Sequence, residues 1–430
     1  MRRGARERVG RVLLAALATA VVVSGLGGCS RHEQRSSRAA ASSVQLPTAS
    51  ASTPPPMSRP PPTACDPARA VASWPLTRRA AQLLVVPVAD FDVAGAAGPV
   101  RAGTGGILFL GTAPAPTDLG KRLSSLVAQA PAGVAPFVMA DEEGGGVQRL
   151  SGVVQPIPWA RQMAASMPPD AVRALAAGAG RQMNAAGVTV DLAPVLDADA
   201  RPGPNLVNPD GLRSFSGDPE LAALYGLAFA TGLRDAGVLA VAKHFPGLGG
   251  VDANTDVRPA ATLPITTLRS GGLTAFQAAV RAGIPAVMVA NAWVPGLTRL
   301  PASLSSAVVT DLLRRELGFT GLVMTDSLST TAISSVPAPL SSAAVMAIGA
   351  GVDMVLFGST LTLADRAQLA PGEVERTFGE IVDGIVQAVW SKTLPEARLN
   401  AAVTAALAAK GVDPCAGGGG GAGAGGSGAP

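Results

Sequence analysis

Histidine is almost missing from this chain: His32 and His244 are the only two in 430 residues. There is no Cys/His cluster at ligand spacing, so a zinc-type metal site is not expected, and no cofactor is called for. Aromatic residues make up only 3% of the sequence, so the core must be built from Ala, Val, Leu and Ile. No basic stripe with interleaved aromatics is present. The net charge of +4 belongs to one end, since residues 1–64 hold nine Arg against two Glu and the remainder is net acidic. That distribution gives no case for a nucleic-acid partner. No glycine-rich phosphate loop follows the first predicted strand, which argues against a doubly wound dinucleotide fold.

The longest apolar run, Val12 to Leu26, is too short for a comfortable membrane span. It follows a positive segment (Arg2, Arg3, Arg6, Arg8, Arg11) and ends in Leu26-Gly27-Gly28-Cys29. Residues 1–29 therefore read as a lipoprotein signal peptide with lipid attached at Cys29. The competing reading is an uncleaved anchor helix with an incidental Cys. The polar sequence that begins straight after Cys29 favours the lipoprotein. The mature protein is then exported and lipid-anchored to the outer face of the cytoplasmic membrane. Export permits disulfides, and the two remaining cysteines, Cys65 and Cys415, flank the folded region and are expected to pair. Residues 30–64 form a Pro/Ser/Ala-rich linker and residues 416–430 a Gly-rich tail, neither with enough apolar surface to fold.

Between these ends, short apolar runs alternate with helical patterns. Eight strands are predicted: Gln82–Val88, Gly106–Leu110, Pro136–Ala140, Thr189–Val195, Val238–Lys243, Ala286–Ala290, Gly321–Thr325 and Asp353–Phe357. Helices are predicted over Asp170–Ala186, Pro219–Ala236, Thr274–Ala282, Ser303–Leu317 and Ser341–Gly349. Wholly apolar strands with crossover helices imply a parallel sheet buried on both faces. Eight such units close into a (β/α)₈ TIM barrel, here a single α/β domain over residues 65–415, expected to be monomeric.

In a barrel the chemistry gathers just past the C-terminal ends of the strands. Those positions hold Asp141-Glu142-Glu143 through Arg149, then Asp197, Arg213, Lys243-His244, Asn291 and Asp326. Each has a plain structural reading. Asp191 and Asp197 read best as loop-bracing acceptors. Arg149 could neutralise Asp141 or Glu143, Lys243 and His244 could be a satisfied buried pair, and Asp326 could pair with Lys243. Together on one rim they form a polar cluster suited to a hydroxyl-rich ligand.

The motifs are more specific. Asp141-Glu142-Glu143-Gly144-Gly145 with Val147-Gln148-Arg149 resembles the DxEGGxVQR motif of family 3 glycoside hydrolases. Lys243 to Gly247 resembles their KHFPG motif, and Val323 to Ser329 the segment bearing the nucleophile. Arg213-Ser214-Phe215 with Asp218-Pro219 resembles a further sugar-binding motif. The resemblance covers roughly residues 70–410 and is to the β-N-acetylglucosaminidase branch. It implies a retaining glycosidase acting on a terminal N-acetylglucosamine-containing glycan, with a role in peptidoglycan turnover. Asp326 is the implied nucleophile. Asp141, Arg149, Arg213, Lys243 and His244 are the implied sugar-binding residues.

The chain departs from the family pattern at its acid/base. The branch carries a histidine, held by an aspartate, in a mobile loop after KHFPG. Here the corresponding positions read Leu248, Asn254 and Asp256, the position after strand six reads Asn291, and a commonly basic position reads Gly146. Two readings follow. In one, Asp256, or Asp252 beside it, is the acid/base on a flexible flap spanning Gly249 to Pro259. In the other, hydrolysis is lost and the barrel is a sugar-binding envelope lipoprotein.

Overall fold

The structure, a computed structural model, describes residues 65–359 and 369–416. The signal peptide, Cys29, the linker, and the tail from residue 417 onward lie outside the described residues.

Eight parallel strands run round a barrel: β1 (Leu84–Ala89), β2 (Gly106–Leu110), β3 (Phe137–Ala140), β4 (Val190–Asp191), β5 (Leu239–Phe245), β6 (Ala286–Val289), β7 (Leu322–Thr325) and β8 (Val355–Leu356). From β1 to β7 each pairs with the next in sequence, and β8 returns to pair with β1. A parallel bridge between Met324 and Met354 brings β7 onto the lead-in to β8 and completes the ring. β4 is shorter than its apolar run, because Pro194 has no N–H to continue the ladder.

Side chains alternate in and out along each strand. Val85, Leu108, Met139, Val190, Val241, Met288 and Met324 point inward and fill the barrel with one buried cluster. Their neighbours, among them Val86, Ile107, Val138, Val287 and Val323, point outward and pack under the helices in a larger one. The same alternation carries the site. Two residues beyond Met139, Val241 and Met324 stand Asp141, Lys243 and Asp326, so all three meet at the C-terminal mouth.

Helices over Pro169–Ala185, Pro219–Asp235, Thr274–Arg281, Ala307–Glu316 and Leu340–Ala350 occupy the expected positions. The helix expected from Ser303 starts later, because Ala302–Leu304 forms a separate short turn. Asp218 caps Pro219–Asp235 by accepting from the Glu220 and Leu221 amides, with Pro219 in the first turn. Two more helices, Pro371–Trp390 and Glu396–Ala409, complete the outer layer. The last closes the opposite end of the barrel, where its Ala406 joins the interior cluster. Helix Pro67–Ala72 packs against it. Cys65 and Cys415 form a disulfide there, with their Cα atoms 5.9 Å apart.

Candidate active site

The mouth of the barrel holds a cavity of about 260 Å³. Asp141, Arg149, Arg213, Lys243, His244, Asp256 and Asp326 all line it, so the fold brings the implied sugar-binding residues together with Asp326 and Asp256; the alternative acid Asp252 does not line it.

Glu143 organises the cationic side. β3 runs into a small hairpin, Glu142–Gly144 with Val147–Gln148, that turns Glu143 into the barrel. Its Oε1 lies 2.6 Å from Lys243 Nζ. Its two oxygens accept from Arg213 Nη2 and Nε, each at 2.8 Å. Lys243 also donates to Asp141 Oδ1 at 2.5 Å. Burial alone would favour the neutral form of each of these groups. Their mutual attraction prevails: Arg213 and Lys243 hold Glu143 well below the usual carboxylate range, while the carboxylates hold both cations above theirs. Lys243 is thus occupied by Asp141 and Glu143 and not by Asp326. Nor is Arg149 the neutralising partner of Asp141 or Glu143. Its Nη1 donates to the Gly111 carbonyl at 3.3 Å, and it makes no ion pair among the described residues.

His244 follows a peptide bond that is cis, where the register between β5 and β6 shifts. Its Nδ1 is 2.6 Å from Asp197 Oδ2. Asp197 is itself fixed by the backbone amides of His244 and Leu248. Burial, aided by the Arg213 charge, lowers His244 to about 4, and burial raises Asp197 to about 7. The imidazole is therefore neutral near pH 7, and Asp197 orients it through a hydrogen bond. Asp191, deep in the barrel wall, accepts the Glu142 amide at 2.9 Å. Both aspartates act as braces.

Asp326 sits at the end of β7, where its Oδ1 accepts the Ser327 amide at 2.7 Å. Asn291, at the family's frequent histidine position, does not line this cavity. Its amide donates to the Ser327 carbonyl at 2.7 Å and to Thr330 Oγ1 at 3.1 Å, and its Oδ1 accepts from Ser303 at 2.7 Å. It ties the ends of β6 and β7 together.

The loop after β5, expected to be a flexible flap, is docked across the mouth. Leu248, Val251, Ala253 and Ala260 bury themselves against Ala290 and Ala292. The Thr255 and Asp256 carbonyls accept from the Ala332 and Thr331 amides at 3.1 and 3.3 Å. Leu248, at the lost histidine position, thus anchors the loop through apolar contact. The same docking separates the two candidate acids. Asp252 is exposed and its Oδ1 accepts the Ala261 amide at 2.8 Å, whereas Asp256 lines the cavity.

A parallel barrel with this network of carboxylates and cations at the ends of β3, β5 and β7 is a sugar-processing scaffold, and the chain belongs to glycosyl hydrolase family 3. The N-terminal domain of that family matches residues 80–408. Beta-hexosaminidase LpqI of Mycobacterium tuberculosis is 35% identical over 381 residues, covering 86% of this chain and 92% of that protein. A solved structure of M. tuberculosis LpqI aligns with a TM-score of 0.71 at 34% identity, covering 82% of this chain and 98% of that one. The crystal structure of a beta-N-acetylhexosaminidase from Beutenbergia cavernae aligns with a TM-score of 0.70 at 32% identity, covering 79% and 100%. The chain is a family 3 glycosidase of the beta-hexosaminidase kind, and its substrate is a carbohydrate.

Proposed function

We propose that the protein is a retaining β-N-acetylhexosaminidase that removes terminal N-acetylglucosamine from cell-wall glycans, with Asp326 as nucleophile and Asp256 as acid/base. The observation that carries this reading is the division of labour in the cavity. Lys243 and Arg213 pair with Asp141 and Glu143, and Asp326 and Asp256 line the same cavity beside that network. Asp141, Arg149, Arg213, Lys243 and His244 grip the sugar hydroxyls. An Asp326 oxygen attacks the anomeric carbon as Asp256 protonates the departing glycosidic oxygen. Asp256 then takes a proton from water, which displaces Asp326 and restores the free enzyme.

Lipid attachment at Cys29 places this activity at the outer face of the cytoplasmic membrane, with the protein a monomer on its linker.

A second reading is favoured by one observation. The loop that carries the acid/base in relatives is here buried against the barrel by Leu248. A sugar-binding lipoprotein without turnover is consistent with that. Turnover of an activated aryl β-N-acetylglucosaminide, compared with the matching aryl β-glucoside, separates the two. Cleavage of the former supports the enzyme. Binding of N-acetylglucosamine with no cleavage of either supports the binding protein.

A further inference from the structure

Asp210, in the loop after β4, has no exposed surface, and neither of its carboxylate oxygens has a hydrogen-bond partner among the described residues. Its backbone is fixed. The amide donates to Asn208 Oδ1 at 3.2 Å, and the carbonyl accepts from the Arg213 amide at 3.1 Å. The side chain is thereby held against Asp197 and His244. One oxygen from each aspartate and a ring nitrogen of His244 all lie within 4.8 Å of one another, and all three residues are buried. Two buried carboxylate oxygens without a partner are costly unless something else satisfies them. The sugar-binding network does not. His244 lines the cavity while Asp197 and Asp210 stand behind it.

The chemistry of this cluster suits a cation. Burial favours the protonated acid at both Asp197 and Asp210, so a dication that displaces two protons leaves the charge of the pocket unchanged. His244 is neutral near pH 7, the form that ligates metals. The nearby positive charges do not oppose an ion, because Arg213 and Lys243 are matched by Glu143 and Asp141. Two carboxylates with an imidazole fit zinc and its neighbours. Magnesium and calcium ask for six or more oxygens and gain little from an imidazole. No spacing in the sequence marks such a site, because its members sit on separate segments that only the barrel brings together.

We propose that Asp197, Asp210 and His244 form a binding site for one divalent metal ion of the zinc class. The ion joins the loop after β4 to the end of β5 from behind the cavity wall. It satisfies the stranded Asp210 oxygens, and His244 exchanges its hydrogen bond with Asp197 for coordination to the same ion.

The test uses the full chain without an affinity tag, stripped with EDTA and dialysed against buffered Zn²⁺. One Zn²⁺ per chain is expected, with a rise in melting temperature that saturates as the site fills. Asp210→Asn keeps the size of the side chain and is expected to weaken binding by about 100-fold and to remove the rise. His32→Ala is expected to change neither. It also leaves His244 as the sole histidine, so ring-nitrogen NMR reads that residue alone. Zn²⁺ should move its signal, a result that does not depend on whether Asp210→Asn folds. No bound Zn²⁺, equal binding by Asp210→Asn and the wild type, loss of binding in His32→Ala, or a His244 signal that Zn²⁺ leaves in place overturns the site.

Discussion

Glu143 Oε1 lies 2.6 Å from Lys243 Nζ, and the same carboxylate receives both prongs of Arg213. A buried carboxylate thereby cancels two buried cations that would otherwise repel each other across the cavity. Glu143→Gln leaves those cations with only Asp141 nearby. The expected cost is about 3–5 kcal/mol of folding stability, the usual result of breaking a buried pair from one side. Urea unfolding measures it as a fall in midpoint at constant slope. A loss under about 1 kcal/mol would mean that the network is solvated and weak.

Glu142 should set part of the dependence of stability on pH. Burial raises its carboxyl from 4.5 to about 7. A carboxyl raised by folding stabilises the fold in its protonated form. That contribution is full below about pH 4.5 and is lost as pH rises through about 7. Glu142→Gln stays neutral throughout, so its melting temperature should vary less over that window and exceed the wild type's at pH 8. The difference corresponds to about 3 kcal/mol at most. Burial raises Asp191 and Asp197 too, so the slope should shrink and not vanish. An unchanged slope would remove Glu142 from the account.

Asp256 should matter in proportion to the leaving group's need for a proton. Asp256→Asn is expected to slow substrates with poor leaving groups by about 10²–10⁴-fold and to spare activated aryl glycosides. Azide should then speed the activated substrate by attacking the glycosyl intermediate. Equal losses on both substrate classes, or no loss on either, would take Asp256 out of the mechanism.

The strands were legible because apolar runs such as Gly106–Leu110 and Ala286–Val289 have both faces buried, and a parallel strand buried on both faces leaves an unbroken apolar signature. Asp141, Lys243 and Asp326 were legible as charges at the ends of such runs. Glu143 was not, because its partners lie far along the chain, with Arg213 70 residues away, and local sequence does not report that pairing. Asp252 and Asp256 were indistinguishable as neighbouring acids in a polar loop. Only the docking of Leu248 and Ala253, apolar residues in an otherwise polar stretch, turns one outward and the other toward the cavity.

The most direct test of the central claim is covalent capture. A fluorinated N-acetylglucosamine-type glycoside with a good leaving group slows release of the glycosyl intermediate, and mass spectrometry of the digested protein locates the bond. One label is expected, on Asp326, together with loss of nearly all turnover in Asp326→Ala at an unchanged melting temperature. A label on Asp141 or Asp197, or an Asp326→Ala protein that melts lower while its folded fraction still turns over substrate, would contradict that assignment.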